Sequence, residues 1–454
     1  MTNSARALVV SHRFPFPPHK GEKIRTYHQI TYLLDLGFTV DLYSLSDQAQ
    51  DQNHSKELSQ KHGVESKLFP VASGLLRYLK YLQALATKRS FTESYFHSKE
   101  LHKTLKALDL TAYDFILVTG SGLTPYLDSI HSNSTRANVA SSTSKDDLNK
   151  PKVLVDFMDV DSDKWLQYTE KSRGLKRWIF SREAKAVLAL EARAIDRSTA
   201  SFLISSNEVE RFCELHKVDA DTSKTRAPVV LGNGVSFDDF PALTFRSIHK
   251  DDPPHFVFMG VMDYLPNQDA AIFFVRSILP IIQQQHASAR FTIVGMNPSS
   301  EVLALASEAG VEVTGMVDSV GPYLAKAHIF VAPFRVARGV QNKVLQAMAS
   351  ELPVVSTPLG NEGINAPAIQ YQDSDSPTHG QTPAIAIAEN APAFAQACID
   401  LIDDEPLRRS LAIRGCAFVK RTFSWESQLA PLKSHIALQQ ATRNDHSKVA
   451  SGSN

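Results

Sequence analysis

Hydrophobic positions along the chain alternate between two rhythms. Short runs rich in β-branched and aromatic residues (Ala7–Ser11, Thr39–Leu42, Phe115–Val118, Val153–Phe157 and Ser201–Ile204, with Val229–Val230 close behind) are separated by longer stretches with helical spacing. The alternation resumes at Phe256–Met259, Arg290–Val294, Glu312–Thr314, Ile329–Ala332 and Val354–Ser356. Apolar strands set between amphipathic helices predict parallel sheets covered on both faces, and two such sets predict two doubly wound α/β domains.

Between the sets, Asn233-Gly234-Val235 leads into a Pro- and charge-rich stretch, 236–254, with little periodicity, which reads as an interdomain linker. The expected domains are 1–240 and 241–420, with a helix at about 421–438 packing back on the first and a disordered tail over 439–454. Two small, polar, turn-rich stretches, 131–150 and 371–383, read as flexible surface insertions. Open α/β sheets bind ligands at the carboxyl ends of their strands, so two such domains are expected to face a central cleft, and chemistry is to be sought in loops that follow strands.

Composition narrows the field. With 48 Lys+Arg against 48 Asp+Glu the formal net charge is zero, so no global field draws the chain to nucleic acid. Cys213, Cys398 and Cys416 are far apart and lack zinc or disulfide spacing, which fits a reducing cytoplasm. No apolar run reaches the roughly 18 residues of a spanning helix, and MTNSARALVVSHRF turns polar too soon for a secretory signal. A soluble cytoplasmic protein is expected.

Three strand-following loops could hold an anion. In the first, prolines precede Gly21 at a helix start, where free N–H groups with Lys23 and Arg25 suit a diphosphate. A solvated basic helix start fits the same residues, and without a Walker pattern nucleotide hydrolysis is unsupported. In the second, Gly260 follows a strand and Pro266-Asn267 opens a helix; ordinary loop stereochemistry accounts for it equally well. The third is the most informative: Ile329–Ala332 runs into Arg335, Arg338 and Gly339, then a helix from about Val340 bearing Lys343 and Gln346. Three cations at a helix start concentrate positive potential, and Gln346 can hydrogen-bond a ribose.

Asp156, Asp159, Asp161 and Asp163 follow Val153–Phe157, either as a site facing the cleft or as a helix start favoured by the dipole. His12, His19 and His28 have no metal-site spacing and read as surface or supporting residues. The basic amphipathic segments 73–89 and 171–185 can lie on anionic lipid, or pack as helices with solvated faces.

Taken in order and spacing, these pieces resemble retaining glycosyltransferases of family 4 (group 1), with the GT-B fold of two Rossmann-like domains. Supporting segments are Ser205-Ser206-Asn207-Glu208, LGNGVSFDDF (231–240), FTIVGMNPS (291–299) with Gly295, VEVTGMVDSVGPYLAKAHIFVAPFR (311–335) and FSWESQL (423–429). PFPPHKGEKIRTYH (15–28), VDFMDVDSDKW (155–165), GVMDYLPNQDA (260–270) and ARGVQNKVLQAMA (337–349) resemble the exopolysaccharide subgroup associated with exosortase/PEP-CTERM systems.

The resemblance implies a nucleoside diphosphate sugar on the second domain and a saccharide or lipid-linked acceptor on the first, with no cofactor and no metal. It implies donor contacts at Gly21, Lys23, Arg25, Gly260, Gly295, Arg335, Gly339, Val340 and Gln346. Arg338 and Lys343 would stabilise the departing diphosphate, and Asp159 would orient the acceptor or the donor sugar. The leaving phosphate would take the acceptor proton in a same-face attack. Arg338 and Gln346 stand where family members carry glutamates, which leaves open a catalytically silent scaffold of the same fold.

Overall fold

The computed structural model describes residues 5–18, 21–72, 74–87, 89–139, 150–218, 227–249, 252–337, 339–371, 378–379 and 382–436. His19, half of the first expected insertion, most of the second and the expected tail lie outside the described residues. Within the first insertion, residues 131–139 are not a loop: they continue the helix Thr124–Val139.

The chain divides into two compact units, Met1–Asn233 with Gln428–Asn454, and Gly234–Ser427. The first unit carries β1 (Arg6–Ser11), β2 (Thr39–Ser46), β3 (Glu65–Pro70), β4 (Phe115–Thr119), β5 (Lys152–Met158), β6 (Ala200–Leu203) and β7 (Val229–Val230). They form one parallel sheet in the order β3-β2-β1-β4-β5-β6-β7. Every residue of β4, reading FILVT, is buried, as a central strand covered on both faces requires. The unexpected β3 reads ESKLFP and buries only Phe69, so an edge strand half exposed to water lacks the apolar run that marks the others.

The second unit carries β8 (His255–Met259), β9 (Arg290–Val294), β10 (Val311–Val313), β11 (Ile329–Ala332), β12 (Val354–Ser356), β13 (Ala368–Tyr371), β14 (Thr378–His379) and β15 (Ile385–Ala388). Their order is β10-β9-β8-β11-β12-β15-β13-β14, and only the edge pair β13–β14 is antiparallel. The segment read as a linker belongs to this unit as a strap. Phe237, Phe240, Leu243 and Ile248 pack on its core, and the Leu243 N–H donates to the Ser350 carbonyl. Beyond Ser427 the chain returns to the first unit, burying Leu429 and Leu432. Strand order reverses between β1 and β4 in one unit and between β8 and β11 in the other, and a crevice opens at the carboxyl ends at each such point.

Candidate active site

At the switch point of the second unit, β8 and β9 end in Gly260 and Gly295 in direct contact. A Cβ on Gly295 would lie 1.7 Å from the Gly260 carbonyl oxygen, and one on Gly260 would lie 2.7 Å from Asn267 Nδ2. Asn267 is only 3% exposed, in the first turn of the helix Leu265–Phe273. Its amide donates to the Val261 carbonyl at 2.9 Å, and its Oδ1 accepts from Lys343 Nζ at 2.6 Å. Lys343 reaches it from the first turn of the helix Asn342–Ala349, its ammonium 5.0 Å from the Phe334 ring centroid and 5.7 Å from that of Phe258. Burial against these rings pushes its pKa down to about 8. This cation is desolvated and held by a neutral amide and two ring faces, an arrangement that an arriving anion stabilises.

The other residues expected here divide. Gly339 adopts φ 66°, a conformation that favours glycine, next to the exposed Val340. Gln346 lies three residues beyond Lys343, half-buried on the same helix. The helix begins at Asn342, not at Val340. Arg335 is turned onto Asp269, which accepts from its Nε at 3.0 Å and raises its pKa, and it stacks 4.5 Å over Phe273. Its charge is therefore already matched by a carboxylate. Arg338 lies outside the described residues.

In the first unit a polar cavity of about 490 Å³ opens where β1, β4 and β5 end. Gly21, exposed at the start of the helix Gly21–Asp35, lines it, but a Cβ there meets nothing within 4 Å, so packing does not require glycine. Lys23 is buried to 8% exposure. Arg25 corrects the expectation of a phosphate-binding cation. It is 1% exposed, and its Nε and Nη2 donate to Asp156 at 2.6 and 2.9 Å. Its Nη1 donates to the Gly232 carbonyl and to Asn233 Oδ1, and Gln29 also donates to Asp156. This bidentate pair ties the first helix to the end of β5 and is already neutral.

The four aspartates go separate ways. Asp156 is in that buried pair, Asp163 accepts from Arg211 at 2.6 Å, and Asp159 and Asp161 share Lys164 at 2.8 and 3.3 Å. Burial opposes charge on Lys164, yet Asp161 and Asp159 outweigh it and hold the ammonium above its ordinary pKa. A β-bulge between Asp156 and Met158, with Met158 at φ 70°, turns the chain so that Asp159 and Asp161 line the cavity. Glu208 accepts from the Val160 N–H at 2.6 Å and Glu191 from the Ser162 N–H at 3.0 Å, satisfying free donors where the helix Asp161–Glu170 starts. The Ser205–Glu208 segment is thus half of a capping arrangement whose carboxylate braces the Asp159 loop.

Two residues stand in these places without having been singled out by the sequence. Asn267 gave only a helix-start signal, and its pairing with Lys343 spans 76 positions. His12, read as a surface or supporting residue, lines the polar cavity with Nδ1 3.2 Å from the Thr119 carbonyl. Nδ1 lies equally 3.2 Å from the Thr119 hydroxyl, which can donate or accept, so these contacts fit either tautomer of the ring. Burial, followed by Arg13, lowers the His12 pKa, which keeps the ring neutral near pH 7.

Residues 253–404 match the family described as Glycosyl transferases group 1. No curated protein matches the chain. Among solved structures, it is similar to a glycosyltransferase from Rickettsia africae at TM-score 0.55 and 13% identity, covering 96% of this chain and 99% of that one. It is also similar to HepE from Anabaena, solved with UDP and glucose, at TM-score 0.53 and 11% identity, covering 95% and 99%. WaaG, a glycosyltransferase involved in lipopolysaccharide biosynthesis, is similar at TM-score 0.53 and 13% identity, covering 94% and 98%. These likenesses show the α/β fold of GT-B proteins. Taken with that fold, the group 1 match over residues 253–404 indicates a glycosyltransferase.

Proposed function

We propose that the protein is a retaining glycosyltransferase that moves a sugar from a nucleoside diphosphate sugar to a saccharide or lipid-linked acceptor during exopolysaccharide synthesis. The observation that carries the donor assignment is Lys343, a desolvated ammonium with no carboxylate partner among the described residues, at the switch point of a doubly wound sheet. A diphosphate there supplies the missing counter-charge, and the ammonium stabilises it further as negative charge grows on departure. Gly339, Val340 and Gln346 belong to the same loop and helix, with Gln346 offered to the ribose. Gly260 and Gly295 bring the backbone close to the nucleotide. The polar cavity of the first unit takes the acceptor, with Asp159 and His12 as hydrogen-bonding partners for its hydroxyls and Gly21 at its rim.

Surface chemistry supports action at the cytoplasmic face of a membrane. No helix among the described residues is long and apolar enough to cross one. The helix Gly74–Thr87 exposes Leu76, Tyr78, Leu79 and Leu82, and the helix Gly174–Asp196 exposes Leu175 and Trp178. Arg182 joins the two helices by donating to the Ala84 carbonyl at 2.6 Å, with cations such as Arg77, Lys80 and Arg177 nearby in sequence. The test of function is a binding screen of UDP-, GDP-, ADP- and TDP-linked sugars by ligand-observed NMR, with and without Lys343→Ala. Selective binding lost in the variant supports the reading. Absence of binding to every nucleotide sugar overturns it in favour of a silent scaffold.

A further inference from the structure

A groove of about 740 Å³ on the first unit shares no lining residue with the polar cavity. Arg89, His97, Lys99, His102, Lys103 and Lys106 line it, and no carboxylate does. Lys99, Lys103 and Lys106 stand at i, i+4 and i+7 on one face of the helix Lys99–Ala107, which spreads them over about 10 Å. They and Arg89 are exposed, and none forms an ion pair among the described residues. Burial pushes the Glu93 carboxyl up, and Arg89 offsets this only from beyond ion-pair distance. Asp128, close enough to favour charge on His102, is already matched by Arg193 at 3.8 Å and Arg197 at 3.5 Å. Like charges on one helix face repel, so an arriving polyanion relieves that repulsion as well as bonding to the cations.

The floor is held in place and carries no charge. Lys80 donates to the His97 carbonyl at 2.8 Å, and Arg182 to the Arg89 carbonyl at 2.8 Å. The His97 and His102 rings lie 5.2 Å apart, and His102 stacks at 4.2 Å on buried Tyr126 with Nδ1 2.8 Å from Ser129 Oγ. Burial and then the neighbouring cations lower the His97 pKa, and burial followed by His97 and Lys106 brings that of His102 down to about 4. Both imidazoles are therefore neutral near pH 7, and a neutral imidazole exchanges hydrogen bonds with hydroxyls. A lone phosphate cannot reach cations spread this far, and a flat lipid surface does not enter a groove. No Phe, Tyr or Trp lines it for a nucleic-acid base to stack on.

We propose that this groove binds a segment of an acidic polysaccharide chain, its anionic substituents at Arg89, Lys99, Lys103 and Lys106 and its ring hydroxyls at His97 and His102. The site stands apart from the polar cavity and does not depend on the donor assignment. It gives the protein a second hold on a polymer, away from the place of transfer.

The test is titration calorimetry on the full chain with hexagalacturonate, maltohexaose, inorganic pyrophosphate and a hexamer of thymidylate. The variants are the pair Lys103→Gln and Lys106→Gln together, and as a charge-matched control Lys176→Gln and Arg177→Gln together. All four positions are exposed, and glutamine is a comparable helix former, so the fold should be kept. Hexagalacturonate should bind at least about tenfold tighter than maltohexaose or pyrophosphate, and the first pair should remove about tenfold while the control changes little. Maltohexaose binding as tightly, or equal losses in both variants, overturns the proposal. Pyrophosphate matching hexagalacturonate reduces the groove to a small-anion site, and thymidylate matching it to a general polyanion surface; either overturns the saccharide assignment. The nucleotide-sugar screen is a separate measurement. Its failure overturns transfer and leaves hexagalacturonate binding untouched, whereas donor binding without hexagalacturonate binding overturns the groove alone.

Discussion

Donor affinity should depend on pH through Lys343. Its ammonium is held near a pKa of about 8 because the Phe258 and Phe334 rings and Asn267 replace water around it. A diphosphate binds the charged form and raises that pKa again. In the free protein the charged fraction falls from about nine-tenths at pH 7 to about one-tenth at pH 9, so affinity should fall about tenfold, or about 1.4 kcal/mol. Calorimetry of the tightest-binding nucleotide sugar from pH 6.5 to 9 at constant ionic strength reads this directly, because the substituted diphosphate does not titrate in that window. Titrations in two buffers of different ionisation enthalpy should show proton uptake above pH 8. The free protein supplies a check of opposite sign. Because the folded pKa lies below the ordinary 10.5, the unfolded chain binds the proton that the folded chain has released, and stability should rise between pH 8 and 10.5. Lys343→Met should abolish both dependences and weaken donor binding about 10- to 100-fold. A flat affinity profile in the wild type, or a slope that survives in Lys343→Met, refutes the reasoning.

Three further outcomes are expected. Gly295→Ala forces a Cβ into the Gly260 carbonyl and should cost about 3 kcal/mol, lowering Tm by roughly 10 °C; an unchanged melt would show that β8 and β9 can part there. Arg25→Met leaves Asp156 buried without its counter-ion and should cost about 3–5 kcal/mol in urea titration, whereas a loss of donor binding without a loss of stability would return Arg25 to a ligand role. Gln346→Glu should strengthen donor binding severalfold if this side chain meets the ribose, since a charged acceptor bonds about 1 kcal/mol more strongly than a neutral one; an unchanged Kd removes Gln346 from the site.

The sequence disclosed the interior strands best, because burial on both faces writes them as unbroken apolar runs. Partly exposed β3 and the short, alanine-containing β13 and β15 carry no such mark. The strap over residues 236–249 looked like a linker because its phenylalanines are spaced by polar and charged residues without a period, yet they pack one by one on the second unit. Arg25 looked like a free cation because its partner, Asp156, is 131 residues away. For the same reason no local pattern could reveal that Lys343 is desolvated: the rings and the amide that replace its water come from three other segments. Charge can be read from a residue type, but whether that charge is already neutralised depends on contacts distant in the chain.

The return of the chain at Gln428 bears on biosynthesis. Lys152 donates to the His435 carbonyl at 3.0 Å, Phe202 meets the His435 ring at 5.4 Å, and Gly232 has no room for a Cβ beside Gln428. The first unit is therefore finished by residues that are made only after the whole of Gly234–Ser427. During translation it must wait as an incomplete body, while the second unit, continuous in sequence, can reach its final form first.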